Sequence, residues 1–129
     1  MRQMLEHCRH DYPNEACGYL AGNREVAVKA FALTNVHASP TSYEMDPKEQ
    51  LATQRKMREE GLEHLSIYHS HVATEAFPSR RDIDRATAVQ DFFEGHYLLV
   101  SLKNADAPRV RAFLIRDGNV KEVEVKEVS

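Results

Sequence analysis

Leu62-Glu63-His64-Leu65-Ser66-Ile67-Tyr68-His69-Ser70-His71, which resumes after seven residues as Ser79-Arg80-Arg81-Asp82, is the part of this 129-residue chain that decides its architecture. Leu62 to Tyr68 reads as a buried strand delivering His69 and His71 at its end. Ser79 to about Phe93 reads as a helix with Ile83, Ala86 and Phe93 on one face. His96 to Leu102 follows as a second apolar strand, expected to be central.

On the N-terminal side, Met1, Met4/Leu5 and Cys8 recur at helical spacing, so the chain opens with a short amphipathic helix. Tyr12-Pro13 ends it, because the residue before proline is pushed out of the helical region. Glu15 to Ala21 reads as a strand, Gly22-Asn23 as a turn, and Glu25 to Leu33 as a second strand; Asn35 to Ser42 is a loop. Asp46 caps a second helix, Pro47 fits its first position, Glu49 stands where a capping box needs it, and Gly61 terminates it. On the C-terminal side, Val110 to Ile115 alternates, and Asp117-Gly118 is a hairpin signal between it and Val120 to Val128. The expectation is an α/β fold, a mixed β-sheet with flanking helices, in a single domain over residues 1–129.

Composition narrows the function classes. Hydrophobic residues are 42% and charged residues 29%, ordinary for a globular protein. The net charge of −3 argues against nucleic acid, and the densest basic cluster, Arg80, Arg81 and Arg85, reads as a solvated helix face. No stretch approaches the roughly 18 apolar residues of a membrane span, and Met1 to Asp11 has no apolar signal region. With Cys8 and Cys17 alone, no disulfide framework is available, so a cytoplasmic setting with buried thiols is expected.

Strand side chains two apart share a face, so His69 and His71 can aim their rings at one point. With Asp82 they offer two imidazoles and a carboxylate, three protein ligands that leave a fourth position of a tetrahedral zinc site for water. Each residue also has a plainer reading. The histidines can be hydrogen-bonded residues at a strand end, and Ser79 with Asp82 can be a capping box, a use that competes with metal binding. Glu15 can be an exposed charge at the mouth of an apolar strand.

The pattern as a whole resembles the JAMM (MPN-plus) metallopeptidase signature: Glu15 far upstream, His69-Ser70-His71, seven residues, Ser79, two residues, Asp82. Pro13 to Leu20 is similar to that family's first strand, and Tyr43 to Pro47 to its approach to the second helix. One departure is Val72, where many members carry proline. The resemblance implies a domain broadly like the cytidine deaminases in fold. It also implies one zinc ion held by His69, His71 and Asp82, Glu15 as general acid/base, and Ser79 as oxyanion stabiliser. The implied activity is hydrolysis of an amide bond at or just beyond the C-terminal Gly-Gly of a small ubiquitin-like or ThiS-like sulfur-carrier protein, as in the compact prokaryotic branch. A homodimer is one candidate assembly. The alternatives are a catalytically silent scaffold of the same family, which zinc content would separate, and a zinc deaminase, whose H-x-E and P-C-x-x-C pattern does not occur here.

Overall fold

The computed structural model describes residues 1–127. Three helices, α1 (Arg2–Asp11), α2 (Pro47–Glu59) and α3 (Arg80–Ala88), accompany six strands, β1 (Cys17–Asn23), β2 (Val26–Leu33), β3 (Glu63–His71), β4 (His96–Ser101), β5 (Arg109–Arg116) and β6 (Asn119–Val123). The strands form one mixed sheet in the order β2-β1-β3-β4-β5-β6, in which only β3 and β4 run parallel. The expected α/β class with a mixed sheet and flanking helices is the one observed. Among the described residues no helix is long and apolar enough to cross a membrane.

Alternation along the strands separates two faces. Met4 and Cys8 of α1 pack with Leu20, Tyr68, Leu98, Val100 and Ala112 on one. On the other, Tyr19, Phe31, Tyr43 and Met57 form one cluster and Ala86, Tyr97, Leu99 and Phe113 a second, beneath α2 and α3. β3 carries His69 and His71 on this second face, under α3.

Several boundaries differ from the sequence reading, each for a local reason. The turn after β1 is Arg24-Glu25, both at positive φ (51° and 66°), and Asn23 still pairs with Val26. Gly22 lies inside the ladder at a bulge, where a Cβ would collide with the Val26 carbonyl oxygen. Its missing side chain permits close approach and does not make the turn. α3 stops at Ala88, short of Phe93, and the chain leaves through turns closed by the Phe92 and Phe93 amides on the Val89 carbonyl. β6 ends at Val123, and Val128 lies outside the described residues. Asp46 caps α2 by accepting from the Glu49 amide (3.2 Å), but Glu49 does not close the box. Its carboxylate instead accepts the Thr34 amide at 2.6 Å and the Thr34 hydroxyl at 3.0 Å. Gly61, at φ +71°, ends α2 as expected, with the Leu62 amide donating to the Met57 carbonyl.

β2 is an edge strand with Val26 and Val28 exposed. The outward amide of Ala30 in this strand and that of Thr34 just beyond it donate to side chains, Gln3 Oε1 of α1 and Glu49 of α2.

Gly18 lies opposite Tyr68 in the β1–β3 ladder, and a Cβ there would sit 2.5 Å from the Tyr68 ring and 2.6 Å from the Phe31 carbonyl oxygen. Gly18→Ala should therefore lower stability by about 1–3 kcal/mol, the usual cost of overpacking. A urea midpoint equal to that of the wild type would refute this tight fit.

Candidate active site

The antiparallel ladder between β1 and β3 sets Cys17 opposite His69, and the same register carried two residues further brings Glu15 beside His71. The link is held just past the ladder by Ser70. Its amide donates to the Ala16 carbonyl (3.0 Å), and its Oγ accepts from the Ala16 amide (2.8 Å). The serine between the two histidines, to which the sequence reading gave no role, thus fastens the residue next to Glu15. The apolar strand end keeps the cluster dry: His69 is 2% exposed and both His71 and Glu15 are 6% exposed.

α3 supplies the third member. Ser79 Oγ accepts from the Asp82 amide (3.1 Å) and Asp82 Oδ2 accepts from the Ser79 amide (2.9 Å), a complete capping box. The same Oδ2 lies 3.0 Å from His71 Nε2 and 3.2 Å from His69 Nε2. Capping and cluster membership, which looked like competitors in the sequence, are served by one oxygen. The two Nε2 atoms are 3.2 Å apart, and His69, His71 and Asp82 form the group of ligand-type atoms that could hold a metal.

These distances ask for a cation. His71 Nδ1 lies 2.9 Å from the Glu75 carbonyl oxygen, which can only accept, so Nδ1 carries a proton and, in the neutral ring, Nε2 presents a lone pair. A lone pair facing a carboxylate oxygen at 3.0 Å repels unless a proton or a metal ion lies between them. Two nitrogens and one oxygen in a largely buried, three-sided arrangement suit a divalent transition metal.

The two carboxylates sit in contrasting fields. Burial pushes Asp82 upward, but its bonds to His69, His71 and the Ser79 amide outweigh this and hold it well below the usual carboxylate range. Burial pushes Glu15 up to about 7, with the nearby His71, Arg85 and Arg81 charges opposing and Asp82 reinforcing the rise. Burial also draws both histidines down. For His69 it prevails, whereas in His71 the bonds to Asp82 and Glu75 and the two carboxylate charges turn the net shift upward.

Arg85 corrects the reading of a solvated basic face. It is half-buried, its guanidinium lies over the Tyr43 ring at 4.5 Å, and Nη1 donates to the Tyr43 carbonyl. Arg80 does face solvent, paired with Asp84. Cys8 and Cys17 are free and buried, as expected, and burial pushes each thiol up to about 12.

Residues 1–116 match the model of the prokaryotic homologues of the JAB domain. The chain belongs to this family, whose named members are peptidases, and the JAMM signature read from the motif is confirmed in that membership. It is 41% identical over 127 residues to the CysO-cysteine peptidase of Mycobacterium tuberculosis, across 97% of this chain and 84% of the relative. It is 38% identical over 119 residues to a probable TtuB-protein conjugate cleaving protease of Thermus thermophilus, across 92% and 73%. The solution structure of a Desulfitobacterium hafniense protein superposes with a TM-score of 0.83 at 39% identity, covering 96% of this chain and 85% of that one.

The raised Glu15 carboxyl has a thermodynamic signature in the metal-free protein. Its folded pKa of about 7 lies above the ordinary value of 4.5, so its contribution to stability is full below about 4.5 and is lost as pH rises through about 7. Metal-free Glu15→Gln should then exceed the wild type by about 1–3 kcal/mol at pH 8, with the gain fading as pH falls toward 4.5. Urea titrations of both proteins across that range check the slope. A pH-independent difference would mean that Glu15 ionises normally.

Proposed function

We propose that this chain is a zinc-dependent peptidase that hydrolyses an amide bond at or just beyond the C-terminal Gly-Gly of a small ubiquitin-like or sulfur-carrier protein. The observation that carries the reading is the convergence of His69 Nε2, His71 Nε2 and Asp82 Oδ2 within 3.0–3.2 Å, with the Glu15 carboxyl beside them and outside the trio. The relatives support the substrate class, since their names describe enzymes acting on CysO-cysteine and on TtuB conjugates. We further propose that residues 1–129 work as a single domain in the cytoplasm.

In this reading His69, His71 and Asp82 hold one zinc ion. When bound, the ion would act as a Lewis acid that polarises the scissile carbonyl and makes water more acidic. Its charge would also favour the ionised form of Glu15, the form a base requires. Glu15 accepts the proton of the attacking water and passes it to the leaving amine, so no covalent acyl-enzyme forms. Ser79 Oγ already accepts the Asp82 amide, which leaves its proton free to donate to the oxyanion. Loss of one such donor costs about 3 kcal/mol of transition-state stabilisation. A Gly-Gly tail has no side chains to exclude it from a narrow approach, and extended peptides gain main-chain hydrogen bonds on docking. The amides of Ala30 in β2 and of Thr34 just after it are already taken, so the tail would dock outside that stretch.

The test is mass spectrometry of Gly-Gly-ending carriers bearing C-terminal extensions, with and without chelator. Cleavage just after Gly-Gly that chelation abolishes is expected. Glu15→Gln should retain zinc yet lose about 10²–10⁴-fold in rate, the usual share of a general acid/base. His69→Ala should lose zinc itself. Cleavage by Glu15→Gln at the wild-type rate would remove Glu15 from the mechanism.

A further inference from the structure

We propose that the segment between β2 and α2 is a positioning device, in which Tyr43 sets the ring of His69 and Asn35 sets the backbone of Glu15. The inference rests on reading His69 as a metal ligand and Glu15 as the base.

The two histidines are held by different means. His71 Nδ1 has the Glu75 carbonyl as its acceptor. His69 Nδ1 is buried with no hydrogen-bond partner. Metal-binding imidazoles are ordinarily oriented by a bond at the second ring nitrogen, and His69 lacks it. Its ring is stacked instead on Tyr43, with centroids 4.4 Å apart and planes 28° from parallel. Tyr43, 6% exposed, is clamped in turn by Arg85, which lies over its ring and bonds its carbonyl. Because Arg85 belongs to α3, this contact also ties the segment to the helix bearing Asp82.

The other end of the segment grips Glu15. Asn35, 8% exposed, donates through Nδ2 to the carbonyls of Glu15 (3.0 Å) and Ser42 (2.9 Å). Its Oδ1 accepts the amides of His37 (3.0 Å) and Glu44 (3.1 Å). The Glu15 amide donates to the Ser39 carbonyl (2.8 Å). Both peptide groups flanking the Glu15 side chain are therefore bonded to this segment. One stretch of chain fixes the base at one end and a ligand ring near the other, so the distance between them is set by covalent and hydrogen-bonded structure.

The two halves give separable readouts on the full chain. Zinc affinity is measured against a chromophoric chelator, geometry by the visible spectrum of the cobalt-substituted protein, and turnover on a Gly-Gly carrier bearing a C-terminal cysteine. Tyr43→Leu should weaken zinc by about 10–100-fold and alter the cobalt bands. Tyr43→Phe, which keeps the stacked ring, should restore both. Arg85→Met, which removes the clamp without opening a core position, should weaken zinc in smaller measure. Asn35→Ala should lower kcat by about 10–100-fold with little change in KM or zinc affinity, as a displaced base does. Asn35→Asp keeps the two acceptor contacts and loses both donors, so it should show the same kcat loss. The proposal is overturned if Tyr43→Leu and Arg85→Met bind zinc as the wild type does with unchanged cobalt bands, or if both Asn35 variants keep the wild-type kcat. A wild-type chain that neither takes up zinc nor cuts the carrier overturns the peptidase reading itself.

Discussion

Two imidazole nitrogens and a carboxylate oxygen face one another at 3.0–3.2 Å in a largely buried cluster, each offering electron pairs to the same small volume. Such a meeting is unfavourable until a positive charge enters it, so the surrounding fold has to hold it in place. Each member is restrained from outside the cluster. β3 puts both rings on one face by its pleat, the Glu75 carbonyl sets the His71 tautomer, and the first turn of α3 presents Asp82 through its own cap. The helix N-terminus adds a field that favours the ionised carboxylate there. Local bonding and the cation requirement thus point the same way.

The contrast between Glu15 and Asp82 follows from the same arrangement. Both are carboxylates near the histidines, yet Asp82 is bonded by them and by the amide of the N-cap Ser79, whereas Glu15 is buried with no side-chain hydrogen bond to its carboxylate among the described residues. Environments that separate two carboxyl groups so widely suit a division of labour, one permanently anionic and one able to exchange a proton near neutrality. The separation is written into topology: Asp82 arrives from the crossover between β3 and β4, and Glu15 from the residues that lead into β1, which begins at Cys17 rather than at Glu15 and lies on the other side of β3.

Parts of this were legible in the sequence because they depend on local chemistry. The helix caps at Asp46 and Ser79, the terminating Gly61, and the Asp117-Gly118 turn with φ of 53° and 78° are each decided within a few residues. The His69-Ser70-His71 spacing foretold a shared face because a strand alternates strictly. Tertiary contacts were not legible. Nothing local to Arg85 marks it as the clamp on a tyrosine in a distant segment, and its neighbours Arg80 and Arg81 do face solvent. Gly22 misled because a glycine that admits a neighbouring strand looks, in sequence, like one that makes a turn. Asn35 and Tyr43 reach the site only because the chain folds back on itself, and only the similarity of Tyr43 to Pro47 to the family pattern drew notice to that region.

Gln3 and Glu49 act as surrogate neighbours for the outermost strand, occupying amides that another polypeptide would otherwise pair with. A bare edge with Val26 and Val28 on its surface is the kind of template on which sheets of separate molecules join. By drawing one cover from the first helix and another from the second, the fold makes resistance to such joining depend on both helices being docked. Loosening either would uncover part of a sticky rim.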